Sequence, residues 1–355
     1  MTDTQRQLKF SQAINEALDL SLGADPNVYV IGLGVPDPTG VFGTTSGLQQ
    51  KHGAGRVYDM PISESAVTGV VLGSALVGAR PVMAHMRLEF AMVAIDQIVN
   101  QAAKWHYMFG GQATAPMVLR MIVGRGWGQG PQHSQSLHSW FAHIPGLKVV
   151  MPATPHDAKG LLVAAVEDDA PVVFIEHRWL YGIHGAVPEG LYRVPLGVPN
   201  LMRRGGDVTL VASSFMTLEA MRAAGVLGGQ GIEADVIDLR TLNPLDDTLI
   251  LESVHRTGRL VVCDQATYTA GFAGEIVSRV TEKAFGALKA PPVRVTLPDA
   301  PTPTTRALSN YYYPGVGHIV AAARRTLGLP YEDPTASIGP ADRLDIPDTS
   351  FTGPF

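Results

Sequence analysis

Short apolar runs rich in β-branched residues, without strict alternation, recur along the chain between segments of helical periodicity. The first series is Val28–Ile31, Pro81–Met83, Met117–Val123, Lys148–Met151 and Pro171–Ile175, and a second follows at Val208–Ala212, Ala234–Leu239, Arg259–Cys263 and Val293–Leu297. Continuous apolar strands alternating with helices indicate parallel sheets covered on both faces. Thr154-Pro155 with Asp157 supplies an N-cap, a first-turn proline and an early acid, and predicts a helix through Val166. Asn243-Pro244 precedes a helix from about Asp246 to His255, with Gly258 just past its end. Over Ala91–Met108 the residues Met92, Ile95, Val99, Ala102 and Ala103 share one face at helical spacing, so this helix is expected to pack on a sheet. Gly182–Arg204, with Pro188, Pro195, Pro199 and little periodicity, reads as a linker. The expected organisation is α/β, with one domain over 1–195, a second over 196–328 and a proline-rich tail over 329–355.

Composition narrows the classes of partner. Charged residues make up 17% of the 355, below the roughly 25% usual in soluble domains, so part of the exterior is expected to be covered by other subunits. The net charge is -5 and no basic run is present, which argues against nucleic acid. Cys263 is the single cysteine, so an internal disulfide framework is excluded and a reducing compartment fits. Met1–Phe10 has no apolar core and does not read as a secretory signal. The most apolar window, Ser65–Ala79, spans 15 residues, short of the roughly 20 that cross a bilayer. Its Gly69, Gly73 and Gly78 suggest a buried helix that admits a close neighbour. A cytoplasmic protein off the membrane is expected.

Candidate chemistry concentrates in two places. Glu64 closes the segment DMPISE and opens the apolar window. It reads either as a carboxylate complementing a helix dipole or as a buried carboxyl that shares a proton with a ligand nitrogen. The segment GRGWGQGPQHSQ, residues 124–135, lets backbone approach a ligand and places His133 at its end. That histidine is a proton carrier in one reading and a solvated loop residue in the other. His138 and His143 follow at spacings that share no helical face, and no zinc signature, dinucleotide fingerprint or nucleophile elbow is present.

The stretches YDMPISES (58–65), FAMVAIDQIVNQAAK (90–104), GPQHSQ (130–135), HIPGLKVVMPATPHDAKGLL (143–162), PVVFIEHRWLYG (171–182), DLRTLNPLD (238–246) and GFAGEIVSRV (271–280) agree in order and spacing with a known family. Over roughly residues 5–328 the chain resembles the beta subunit of the thiamine-diphosphate-dependent first component of 2-oxo acid dehydrogenase complexes, with the acetoin-cleaving counterpart and the C-terminal half of transketolase as relatives. The resemblance implies two three-layer α/β/α domains, a pyrimidine-binding domain followed by a transketolase C-terminal domain. It implies that Glu64 hydrogen-bonds a ring nitrogen of the aminopyrimidine, that Phe90 stacks on that ring beside Met86, and that His133 stands near the reacting carbonyl. A monovalent-cation loop, potassium in this family, would fall on Met117, Ala165, Val166, Asp168 and Ala170.

What the chain lacks completes the picture. In the family, diphosphate and magnesium are held by a GDG motif on an alpha subunit; no GDG occurs here, and Gly205-Gly206-Asp207 only introduces a strand. The chain is therefore expected to be half of a composite site in a two-alpha two-beta assembly that decarboxylates a 2-oxo acid and acylates a lipoyl acyltransferase. Departures between Ala84 and Glu89, chiefly His85 and Arg87, are expected to alter charge near the cofactor and hence the carbonyl compound accepted. They keep open a split transketolase-like or carboligating enzyme that passes a ketol or acyl unit to an aldehyde. A non-catalytic scaffold is the third reading, against which the joint retention of Glu64, Phe90 and His133 stands.

Overall fold

The computed structural model describes residues 6–125 and 129–334. Two sheets form. The first has seven strands in the order Thr241–Asn243, Lys148–Val150, Val172–His177, Val118–Val123, Arg80–His85, Val28–Gly32 and Val57–Tyr58. All its pairs are parallel except the edge strand Thr241–Asn243, which pairs antiparallel with Lys148–Val150. The second has five, in the order Val293–Leu297, Leu260–Thr267, Val208–Ala212, Ala234–Asp238 and an antiparallel Asn200–Arg203.

Strand side chains alternate between two layers of core, as a period of two requires. Val82 and Ala84 face Phe10, Ile14, Leu18 and Leu161, whereas Met83 and Leu119 face Val71, Leu72 and Ile98. Helices Phe10–Ala24 and Pro155–Glu167 pack on each other over one face, and Glu64–Leu76 packs with the segment after Phe90 on the other. The Thr154 hydroxyl accepts from Asp157 N–H at 3.1 Å, and Gly258 adopts φ +73°, so both expected helix boundaries form.

Three expectations need correction. Ala91–Met108 is not one α-helix: a 3-10 turn over Met92–Ala94 leads into a π-helix over Asp96–Ala102 and then an α-turn over Ala103–Met108. The wider winding moves the phase, so Ala91, Ala94, Ile98 and Ala102 face the core while Ile95 is 37% exposed. The presumed linker contains two strands, His184–Ala186 on Gln7–Lys9 and Asn200–Arg203 on the second sheet. Finally, the helix from Glu64 is buried on one face only: Val70 is 68% exposed, and Ile62 and Val77, just before and just after the helix, are 78% and 85% exposed. Val93, Tyr107, Trp140 and Phe285 are exposed as well, giving the low-charge composition a structural counterpart. The tail beyond 334 lies outside the described residues.

Candidate active site

Parallel sheets open their ligand crevices at the carboxyl ends of the strands. Arg80–His85 leads there into Met86, Arg87 and the short helix Leu88–Ala91; Val118–Val123 leads into Gly124 and the loop towards His133; Val172–His177 leads into Arg178. Gly124 has φ +91°, and a Cβ there would lie 2.6 Å from the His177 ring, so the loop turns where only glycine fits. Glu64 stands at the N-terminus of its own helix, and the preceding strap is pinned by Asp59, whose carboxylate accepts from Gly34 N–H at 3.0 Å and Met60 N–H at 2.8 Å.

These elements bring two of the expected residues into contact. The Phe90 and His133 rings meet edge to face with centroids 5.5 Å apart. Glu89, half-buried beside Phe90, accepts from Gln135 N–H at 2.5 Å and so ties the His133 loop to the Phe90 helix. Burial raises the Glu89 pKa against the opposing pull of that bond and of Arg87, and its second oxygen has no partner among the described residues. Glu64 lies on the helix packed against the segment after Phe90, joined to it by Ser65 and Gln97 at 3.4 Å. Glu64, Met86, Phe90 and His133 are all half-buried, and the Glu64 carboxylate makes no hydrogen bond to a described residue. A carboxyl left without a partner at a helix N-terminus fits an aminopyrimidine nitrogen supplied from outside the chain.

The family pattern described as "Transketolase, pyrimidine binding domain" matches residues 6–183, and "Transketolase, C-terminal domain" matches residues 197–319. The chain is 47% identical to the acetoin:2,6-dichlorophenolindophenol oxidoreductase subunit beta of Cupriavidus necator, over 91% of this chain and 98% of the relative. It is 41% identical to the pyruvate dehydrogenase E1 component subunit beta-2 of Oryza sativa, a mitochondrial protein, over 90% and 86%. The chain belongs to this family of thiamine-diphosphate-dependent beta subunits. A solved structure described as "Split gene transketolase, inactive beta4 tetramer" superposes with a TM-score of 0.73 at 25% identity, covering 91% of this beta subunit and 99% of that chain.

The beta subunit's remaining expected positions fare differently. His85 ends its strand at 2% exposure with Nε2 unpartnered, and burial pushes its pKa down to about 4. It is neutral near pH 7 and brings no charge to the site; of the pair His85 and Arg87, only the arginine does. The cation loop is also differently used. The carbonyls of Val166 and Asp168 accept from the Arg80 guanidinium at 3.2 and 3.1 Å, and the Asp168 carboxylate takes Lys148 and Ala170 N–H. Met117 O accepts from Val172 N–H, and Ala165 O from Asp168 N–H. The Arg80 guanidinium thus already hydrogen-bonds the Val166 and Asp168 carbonyls, two of the five positions expected to face a cation.

Sequence reasoning missed Glu89, whose only signal was an acid directly before the aromatic, and the buried pair His138–Asp264. His138 Nε2 lies 2.8 Å from Asp264 Oδ1, bridging the two sheets' domains. Burial raises the Asp264 pKa, but His138 and the N–H groups of Ala266 and Ala273 outweigh it and leave the carboxyl lowered.

His85 supports a stability prediction with a definite sign. Its pKa is about 4 folded and near 6.5 unfolded. Between those values the unfolded chain binds a proton that the folded chain does not, so this contribution is full above 6.5 and is lost as the pH falls towards 4. The stability of wild type relative to His85→Leu should therefore fall by about 1.4 kcal/mol per pH unit as the pH drops through that window. Urea unfolding of both proteins at several pH values measures it, and a pH-independent difference contradicts the assignment.

Proposed function

We propose that this beta subunit, with an alpha partner holding diphosphate and magnesium, decarboxylates a 2-oxo acid and passes the acyl fragment to a lipoyl acceptor, in a cytoplasmic two-alpha two-beta assembly. The observation that carries the reading is the placement of Phe90 against His133 at 5.5 Å, at the carboxyl edge of the sheet, with unpartnered Glu64 on the adjoining helix. Thiamine diphosphate, when bound, supplies the nucleophilic carbon and the electron sink. Glu64 holds the proton shared with the pyrimidine nitrogen, which a water-exposed, ionised carboxylate does less well. Phe90 and Met86 give the ring an apolar wall, and His133 moves protons at the reacting carbonyl. Exposed Val70 and Val93 on these helices, with Ile62 in the strap before them, are suited to burial by a neighbouring subunit. Among the described residues no helix is long and apolar enough to cross a membrane.

A second reading, transfer of a ketol or acyl unit to an aldehyde, is favoured by Arg87 in the crevice and by the likeness to a split-gene transketolase. Co-purification with a GDG-bearing alpha chain tests both. Carbon dioxide release from 2-oxo acids that requires thiamine diphosphate is expected, with lipoyl domain as the productive acceptor. Productive transfer to aldehydes alone selects the second reading. A complex that fails to bind thiamine diphosphate in calorimetry overturns both.

A further inference from the structure

Two arginines converge just beyond the strand ends. Arg87 is 3% exposed and Arg178 is 0% exposed. Both donate to one neutral oxygen, Gln129 Oε1, Arg87 through Nη2 and Arg178 through Nη1 at 3.1 Å, while Arg87 Nη1 donates to Gly124 O. Neither forms an ion pair with a described carboxylate; Glu89, the acid beside Arg87, uses its bonded oxygen on Gln135. The cost is visible in Arg178, whose pKa is pushed down to about 9, first by burial and then by Arg87.

The same sheet shows what a structurally buried arginine looks like. Arg120, 1% exposed, sets Nε and Nη2 on the two oxygens of Glu176 at 2.6 and 2.8 Å, side-on and bidentate. Arg178 leaves that same edge unused: its Nε and Nη2 are buried and have no partner among the described residues. The Phe42 ring lies 5.1 Å from its Cζ against the guanidinium face, and Nη1 is tied to Gln129, so the free edge is fixed in direction. An adjacent Nε–Nη pair matches a carboxylate or phosphate in both spacing and charge. Buried donors without partners call for an occupant, and two uncompensated cations call for an anion.

We infer that Arg178, with Arg87 behind it, forms an oxyanion subsite for the second anionic group of a dianionic carbonyl substrate, a carboxylate or phosphate remote from the reacting carbonyl. The location agrees: Arg87, Gly124 and Arg178 follow three adjacent strands, Phe90 N–H donates to Arg87 O at 3.2 Å, and Gln129 lies on the loop of His133. The substrate assignment rests on the proposed thiamine chemistry; the anion site itself does not.

Two measurements keep those failures apart. On the full-length beta chain alone, malonate and inorganic phosphate should each raise the melting temperature at constant ionic strength relative to chloride, and should do so less in Arg178→Gln. In the alpha–beta complex, the ratio of kcat/KM for 2-oxoglutarate, or for a phosphorylated ketose, over that for pyruvate should fall about 100-fold in Arg178→Gln. Arg178→Lys, which keeps the charge but loses the fork, should recover only part of it. The better of the two substrate arms tells carboxylate from phosphate. Absence of anion stabilisation in the wild-type chain overturns the subsite without touching the thiamine reading. An unmoved substrate ratio, or an alpha-chain carboxylate seated on Arg178 in the complex, overturns its role towards substrate.

Discussion

Glu64→Ala should lower turnover of the reconstituted complex by about 1000-fold while leaving the subunits assembled. The two halves of that expectation have separate physical grounds. Within this chain the carboxylate is half-buried and bonds to no described residue, so its removal costs the fold only the helix-dipole contribution, a few tenths of a kcal/mol. The backbone that positions it is held elsewhere, by Asp59 before the helix and by Val67, Val71 and Leu72 beneath it. On the proposed mechanism catalysis instead depends on the proton that the side chain shares with the pyrimidine, and alanine has none to share. Glu64→Gln keeps the shape and should lose nearly as much, which separates acid–base function from packing. Turnover at saturating thiamine diphosphate, with size-exclusion chromatography and urea midpoints as controls, makes the measurement. Activity within tenfold of wild type in either variant removes Glu64 from the catalytic assignment.

Much of the architecture was legible because it rests on burial. Strands such as Val118–Val123 and Val208–Ala212 are covered on both faces, so their composition alone marks them. The capped helix Pro155–Glu167 carries its start signal in Thr154 and Asp157. The helix after Phe90 escaped because its phase is set by π winding over Asp96–Ala102, which no periodicity announces. Close packing there also needs Gly146, at φ +99°, where a Cβ would collide with Ala103 O. The short strands of the presumed linker took their partners from Gln7–Lys9 and Ala234–Asp238, far away in the chain. At the candidate site, Glu64, Phe90 and His133 were proposed from a resemblance, and the structure brings Phe90 and His133 into contact. The environment of Arg178 was not legible, because it depends on Arg87, Gln129 and Phe42 arriving from three separate segments of the chain.

The Arg120–Glu176 pair predicts the largest effect on stability. The two residues sit on neighbouring parallel strands in the middle of the first sheet, and Glu176 also accepts from the Tyr181 hydroxyl at 2.9 Å while Arg120 donates to Thr44 at 2.8 Å. Glu176→Ala removes the anion and leaves a guanidinium, always charged, inside apolar core at 1% exposure. Breaking such a pair from one side costs about 3–5 kcal/mol, a large part of the roughly 5–15 kcal/mol that holds a domain together. Arg120→Met with Glu176→Leu removes both charges and keeps the volume, and should restore most of the loss, because the penalty lies in the uncompensated ion rather than in the absent bond. Urea midpoints of the single and double variants decide the matter. If the double variant is no more stable than Glu176→Ala, lost packing rather than stranded charge governs the site. If Glu176→Ala is instead neutral, water reaches Arg120, and the sheet interior is not the dry medium that its neighbours Ile122, Phe174 and Ile175, all within 1% of full burial, would make it.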